Sequence, residues 1–207
     1  KISISGIGFE KAGTYVLTVK EKAGSDAGME YSNASYDVTV VVKNGEKSLE
    51  IESVKAGETV LQKNAEEAYD LPNESGKDAS FVNRVKKGSL AITKTVAAPD
   101  GTEMKTGEYI FKVTRDGKEY DKDGNQADGA VIKVKAGETV TVSSLPIGSY
   151  KVTEVDAEKA GYTWTVEVNG ETGSETTVAV PDKGTAEAKY TNTYKEFEGI
   201  FMKLEGT

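Results

Sequence analysis

The chain has 207 residues, enough for two domains of roughly 100 residues each, and carries a formal net charge of −8. This acidic balance, with a pI near 4.9, points to neither nucleic acid nor an anionic membrane surface as a partner. With no Cys and no His, thiol chemistry, His-based triads and the usual zinc ligand sets are excluded, and nothing calls for a cofactor or a metal. No apolar run approaches the roughly 20 residues of a membrane-spanning helix, and the start at Lys1 is not a signal peptide, which leaves the compartment open. Abundant Val, Thr and Tyr, with 22 Gly and only 4 Pro, suit an all-β chain of short strands joined by Gly, Asn and Asp turns.

Residues 1–87 read as a first domain. Ile2-Ser3-Ile4 begins a short strand, and residues 13–21 form a longer one with Tyr15, Leu17, Val19 and Glu21 on one face. A Gly/Ser/Asp loop leads to a strand over 36–42, which turns at Lys43-Asn44-Gly45-Glu46 and returns over 49–54; Asn-Gly between strands is a strong hairpin signal. Residues 64–69 have room for one helical turn. A strand over 79–85, with Phe81, Asn83 and Val85 on one face, closes the domain.

Lys86-Lys87-Gly88-Ser89 reads as a short linker. The second domain spans 88–207, with a C-terminal tail from about 195. Its strands are expected at 89–96, 109–114, 130–135, 139–143, 149–155, 163–168, 176–180 and 186–193. Internal repetition links the halves: Lys55-Ala56-Gly57-Glu58-Thr59-Val60 recurs letter for letter as Lys135-Ala136-Gly137-Glu138-Thr139-Val140. The order of shared features differs between the halves, which makes them related variants of a sandwich and not a simple duplication.

Three strands of the second domain each place one polar group on an apolar face. Lys94 shares a face with Ile92 and Val96, Glu154 with Tyr150 and Val152, and Asn192 with Tyr190 and Tyr194. Burial lowers a lysine pKa and raises a carboxyl pKa, which yields a nucleophilic amine beside an acid able to polarise a carboxamide. Attack of Lys94 on the Asn192 side-chain carbon, with Glu154 shuttling protons, expels ammonia and leaves a Lys–Asn isopeptide bond. From spacing alone a second reading stands beside it: a satisfied buried salt bridge between Lys94 and Glu154, with Asn192 as a hydrogen-bonded bystander.

Over residues 89–194 the pieces Ile92-Thr93-Lys94-Thr95-Val96, Gly148-Ser149-Tyr150-Lys151-Val152-Thr153-Glu154 with Gly161-Tyr162, and Tyr190-Thr191-Asn192-Thr193-Tyr194 resemble the Cna B-type domain of Gram-positive surface proteins and pilins. The middle piece is similar to the E-box of sortase-assembled pilins. The resemblance implies that Lys94 and Asn192 are cross-linked and that Glu154 catalyses the step. Residues 1–87 resemble the streptococcal pilin isopeptide-linkage domain, which implies Glu21 as catalytic acid and Asn83 as amide partner. That family carries its lysine on a first strand lying before Lys1 here. Lys1 has the wrong parity relative to Ile2 and Ile4, and Lys47 sits at a hairpin mouth. Phe201-Met202-Lys203-Leu204-Glu205-Gly206-Thr207 loosely resembles the missing strand. The tail from Phe197 could therefore add to a first domain, that of a neighbouring molecule, and bring Lys203 to Asn83 and Glu21. The competing expectation is that the tail begins a further module or a linker.

Other signals are weaker. Asp121-Lys122-Asp123-Gly124-Asn125 reads as a turn, because its Gly is at the wrong position for a calcium loop. Leu71 to Gly76 reads as a loop and not as a sorting signal. Trp164, in phase with Tyr162 and Val166, reads as core cover. Lys86 and Lys87 are the linker lysines a sortase could use. The chain is thus expected to form two tandem immunoglobulin-like β-sandwiches. They would serve as a structural subunit of a Gram-positive pilus or adhesin stalk, extracellular and wall-anchored, joined to other subunits through sortase. Isopeptide bonds would take the place of disulfides, and the chain would not be an enzyme beyond one self-directed turnover. The alternative is an adhesin module binding a host matrix protein or glycan. A glycosidase-like pair of carboxylates is set aside, because Glu21 and Glu154 fall in different domains and each has an amide partner.

Overall fold

The computed structural model describes residues 6–72 and 80–197, and the chain divides into two units, Lys1–Arg84 and Val85–Thr207. Strands Ile2–Ile4 and the tail with Lys203 lie outside the described residues, as do Lys1 and most of the 71–76 loop. Among the described residues there is no α-helix, and the all-β expectation holds.

In the first unit β1 (Gly13–Lys20), β3 (Ser35–Asn44), β4 (Leu49–Ala56) and β5 (Thr59–Val60) form an antiparallel sheet in the order β1-β3-β4-β5. Short β2 (Met29–Glu30) pairs with β6 (Arg84–Val85). Alternation sends Val40, Val42 and Val54 to one face, where Leu61 completes a buried cluster flanked by Phe9, Tyr15, Leu17, Tyr69 and Leu71. Two expectations are corrected here. Residues 64–69 make no helical turn, because the Asn64 side-chain oxygen accepts from the Glu66 and Ala68 amides and holds a tight loop closed by a Lys63–Tyr69 bridge. Among the described residues of the strand foreseen over 79–85, strand pairing is confined to Arg84–Val85; Phe81 instead sits edge-on against Tyr36, ring centroids 5.5 Å apart.

All eight strands expected in the second unit are present. They are β7 (Lys87–Ala97), β8 (Glu108–Arg115), β10 (Ile132–Lys135), β11 (Thr139–Pro146), β12 (Gly148–Glu154), β13 (Tyr162–Val168), β15 (Glu175–Val180) and β16 (Thr185–Glu196). To these the fold adds the short β9 (Lys118–Glu119), β14 (Glu171–Thr172) and a 3-10 turn at Glu103–Lys105. One sheet runs β10-β8-β12-β15 with β9 on β8, and the other runs β11-β7-β16-β13-β14. Every pairing is antiparallel except that of β7 with β16, which is parallel. Leu90, Ile92 and Tyr190 of one sheet meet Phe111, Val113, Tyr150 and Val152 of the other, all fully buried. The Phe111 and Tyr190 rings lie 4.8 Å apart, and the Tyr190 hydroxyl donates to the Val152 carbonyl at 2.8 Å.

The anticipated linker is not a linker. Lys87 and Gly88 already belong to β7, and a Cβ on Gly88 would collide with the Pro181 carbonyl oxygen, so the strand needs glycine where backbones approach this closely. The repeated hexapeptide turns in both places on a left-handed glycine, Gly57 and Gly137. In the first unit it closes a hairpin, β4 onto β5; in the second it carries the chain from β10 in one sheet to β11 in the other.

Candidate functional site

Strict alternation along β7, β12 and β16 turns Lys94, Glu154 and Asn192 inward. Their exposures are 0%, 4% and 0%, and among the described residues they are the buried polar or charged side chains of the chain. Lys94 and Asn192 come from neighbouring parallel strands, in register with Tyr190 and Val96 respectively, while Glu154 reaches across from the opposite sheet, paired there with Phe111. One carboxylate oxygen, Glu154 Oε1, accepts from both: from Lys94 Nζ at 2.7 Å and from Asn192 Nδ2 at 2.8 Å. Among the described residues, the buried side-chain nitrogen and oxygen atoms left without a partner are Glu154 Oε2 and Asn192 Oδ1.

Burial shifts both ionisable groups toward their neutral forms. Loss of water pushes the Lys94 ammonium down from 10.5 to about 8, against the hydrogen bond and charge of Glu154, which raise it. Burial likewise raises the Glu154 carboxyl above its ordinary range, opposed by the Lys94 hydrogen bond. Desolvation thus outweighs mutual attraction on both partners, as expected for a pair held fully out of water. The Lys94 amine lies 4.5 Å from the centroid of the Tyr109 ring, with the Lys159 ammonium 5.2 Å from the same centroid. Tyr109 and Lys159 also line a surface cleft of about 540 Å³ together with Met104 and Tyr162.

Sequence reasoning did not assign Tyr194 a part. Its hydroxyl accepts from Asn192 Nδ2 at 3.0 Å and donates to the Ala157 carbonyl at 2.7 Å. Its parity with Asn192 on β16 was the available signal.

In the first unit Asn83 Nδ2 donates to Glu21 Oε1 at 2.7 Å, and the Ser32 amide donates to Asn83 Oδ1 at 2.8 Å and to Glu21 Oε2 at 3.2 Å. The structure brings this acid and amide together, but Asn83 is solvent-exposed and Glu21 only half-buried. Lys47 is exposed. The Asp121 carboxylate accepts from the amides of Asp123 and Asn125, which is a turn closing on itself. Trp164 is 40% exposed, so the expectation that it covers the core is corrected: it shares the parity of Val166 but lies where that face is open to solvent.

Residues 90–195, more than half of the chain, match the family described as a domain of unknown function, DUF5979. The chain belongs to this family. Within it, the DUF5979 region holds the whole Lys94–Glu154–Asn192 cluster. Residues 2–86, ahead of the DUF5979 region, match the family described as the Spy0128-like isopeptide containing domain. No curated protein matches the chain. Among solved structures it is similar to a major pilin protein of Streptococcus pyogenes at 23% identity and a TM-score of 0.49, over 91% of this chain and 69% of that one. A second major pilin structure from Streptococcus pyogenes is similar at 22% identity and a TM-score of 0.49, over 92% and 72%. A pilus-presented adhesin is similar at 21% identity and a TM-score of 0.41, over 77% and 37%.

Proposed function

We propose that the chain is a structural subunit of a Gram-positive cell-surface pilus, and that its DUF5979 region is a Cna B-type sandwich closed by a self-formed isopeptide bond between Lys94 and Asn192. The observation that carries this reading is the single carboxyl oxygen of Glu154 shared, out of water, by the amine and the carboxamide. The match of residues 2–86 to an isopeptide containing domain supports it.

The chemistry follows from the geometry. Neutral Lys94 Nζ attacks Asn192 Cγ; as the C–N bond forms, the amine's proton passes to the Glu154 carboxyl, and the carboxyl's proton passes to Nδ2, which departs as ammonia. Amine plus carboxamide give isopeptide plus ammonia, and Glu154 ends in its starting state. Oε1 lies within hydrogen-bond reach of both the nitrogen that gives up a proton and the nitrogen that takes one. The step runs once per molecule, so the product is a tougher chain and not a turnover catalyst. No observation favours the adhesin alternative.

Sortase linkage to other subunits and anchoring to the cell wall belong to the same proposal. So does a second site in the first unit: Glu21 and Asn83 supply acid and amide, and the lysine arrives on a strand laid along β1, with Lys203 of a neighbouring copy as candidate. Peptide mapping for a Lys203–Asn83 link, with light scattering over a concentration series, tests this; monomers with a freely cleaved tail would refute it.

The main test is intact mass. Wild type should be lighter than its sequence by one ammonia for the Lys94–Asn192 bond. Glu154→Ala should restore that ammonia in a folded protein. A wild-type mass equal to the sequence mass would return the site to a plain buried salt bridge.

A further inference from the structure

A carboxamide can sit in its pocket two ways, related by a half-turn that exchanges nitrogen and oxygen, and nothing in strand parity decides which. Here the surroundings decide. Asn192 faces Glu154 Oε1, which accepts from Lys94, and the Tyr194 oxygen. A tyrosine hydroxyl has one proton, and that of Tyr194 goes to the Ala157 carbonyl at 2.7 Å. The Tyr194 oxygen therefore offers Asn192 only a lone pair. Two acceptors meeting one carboxamide fix its NH₂ group toward them and leave Oδ1 on the other side, where it has no partner. The chain of bonds runs from Ala157, in the segment just after β12, through Tyr194 to Asn192 and on to Glu154 at the end of β12.

We propose that Tyr194 is a catalytic residue of the cross-linking step, which holds the departing nitrogen of Asn192 against the Glu154 carboxyl. The inference rests on the isopeptide reading above. The leaving group of the reaction is Nδ2, and it leaves only after gaining a proton. Tyr194 fixes that atom 2.8 Å from the oxygen that supplies the proton and keeps the carbonyl turned away from Oε1. It holds this orientation before the bond forms, so the alignment is present in the ground state. Tyr194 neither gains nor loses a proton in the step: its hydroxyl donates to Ala157 throughout, and burial raises its pKa above the ordinary tyrosine value. After ammonia departs, the new isopeptide nitrogen carries one hydrogen where Nδ2 carried two, so the lone pair of Tyr194 is given up as the bond closes.

The experiment follows intact mass with time in the full chain made by cell-free synthesis, for wild type, Tyr194→Phe and Val166→Ala. Val166 is a buried neighbour on β13, paired with Asn192 in the ladder, and serves as a packing control. Loss of one hydrogen bond to the leaving group should slow ammonia release on the order of tenfold. Because Tyr194 does not titrate in the step, the factor should be the same across about pH 6 to 9. Val166→Ala should lower the melting temperature without slowing release. A Tyr194→Phe rate within about twofold of wild type, or equal slowing by Val166→Ala, would overturn the proposal. Wild type that releases no ammonia would instead overturn the isopeptide reading, and this inference with it. If Tyr194→Phe does not fold, the unreactive Lys94→Met variant with Tyr194 intact decides the matter by NMR. Two distinct, exchange-protected Asn192 amide protons support the orientation, and rapidly exchanging ones refute it.

Discussion

Removing the amide partner should cost the second unit much of its stability. In Asn192→Ala the Lys94 amine has no carbon to attack, so the proposed isopeptide bond cannot form while Lys94 and Glu154 keep their hydrogen bond. The bond would tie positions 94 and 192 and close a loop of roughly 100 residues. By the chain-entropy relation used for disulfides, that constraint is worth about 4.7 kcal/mol. The small void left by the side chain adds roughly 1 kcal/mol, for a total near 5–6 kcal/mol. For a domain of this size each kcal/mol moves the melting temperature by roughly 3–5 °C, so the variant should melt about 15–30 °C lower. Differential scanning calorimetry beside intact mass makes the comparison, and trypsin should cut the variant faster. A wild type lighter by one ammonia that melts within about 3 °C of the variant would refute the reasoning on loop entropy.

Glu154→Ala should abolish ammonia loss and destabilise further, by about 3–5 kcal/mol beyond the lost bond where Lys94 stays charged, because it strands a buried amine; denaturant titration against Asn192→Ala reads the difference. Glu21→Ala in the first unit removes an acceptor from exposed Asn83 and should cost under about 1 kcal/mol by the same titration. The pH dependence of Asn192→Ala has a definite sign. Lys94 has a folded pKa near 8 against 10.5 unfolded, so the unfolded chain holds more protons between those values, and stability should rise as pH climbs from 8 to 10.5. Glu154, with its folded pKa raised above 4.5, acts oppositely: its contribution falls as pH rises from 4.5 through that folded pKa. The double variant Lys94→Met, Asn192→Ala should lose the alkaline rise; its persistence would assign the effect elsewhere. Gly88→Ala, assayed in the Asn192→Ala background, should cost about 1–3 kcal/mol, because its new methyl group has only backbone to displace at Pro181.

The cluster was legible in the sequence because strand parity is an exact period: once Ile92, Val152 and Tyr190 face inward, Lys94, Glu154 and Asn192 must as well. Parity fixes a face but not how far the opposing sheet extends, which is why Trp164 was misplaced while Val166, two residues on, was not. Composition misled at Lys86-Lys87-Gly88-Ser89: Gly88 has no side chain because Pro181 needs the space, not because the chain is loose there. Nor could local pattern tell the two copies of the Lys-Ala-Gly-Glu-Thr-Val hexapeptide apart. Each turns the chain in the same way, and only the surrounding strands decide whether the turn stays within a sheet or passes between sheets. The role given to Tyr194 depends on which way a single amide faces, and no periodicity in a sequence encodes that.

The parallel pairing of β7 with β16 bears on how the second unit carries load. The ladder pairs residues 89–97 with residues 185–193; the chain enters β7 at Lys87 and leaves β16 at Glu196, and the two strands run in the same direction. Tension applied across these points slides one strand along the other, so the ladder's hydrogen bonds are strained together in shear instead of being peeled open singly. Were Lys94 joined to Asn192 as proposed, the force would pass along β7 to Lys94, across one covalent bridge, and out along residues 192–196 of β16. Everything between residues 94 and 192 would then be off the line of force, and a pull on the fibre would meet a bond before it met the fold.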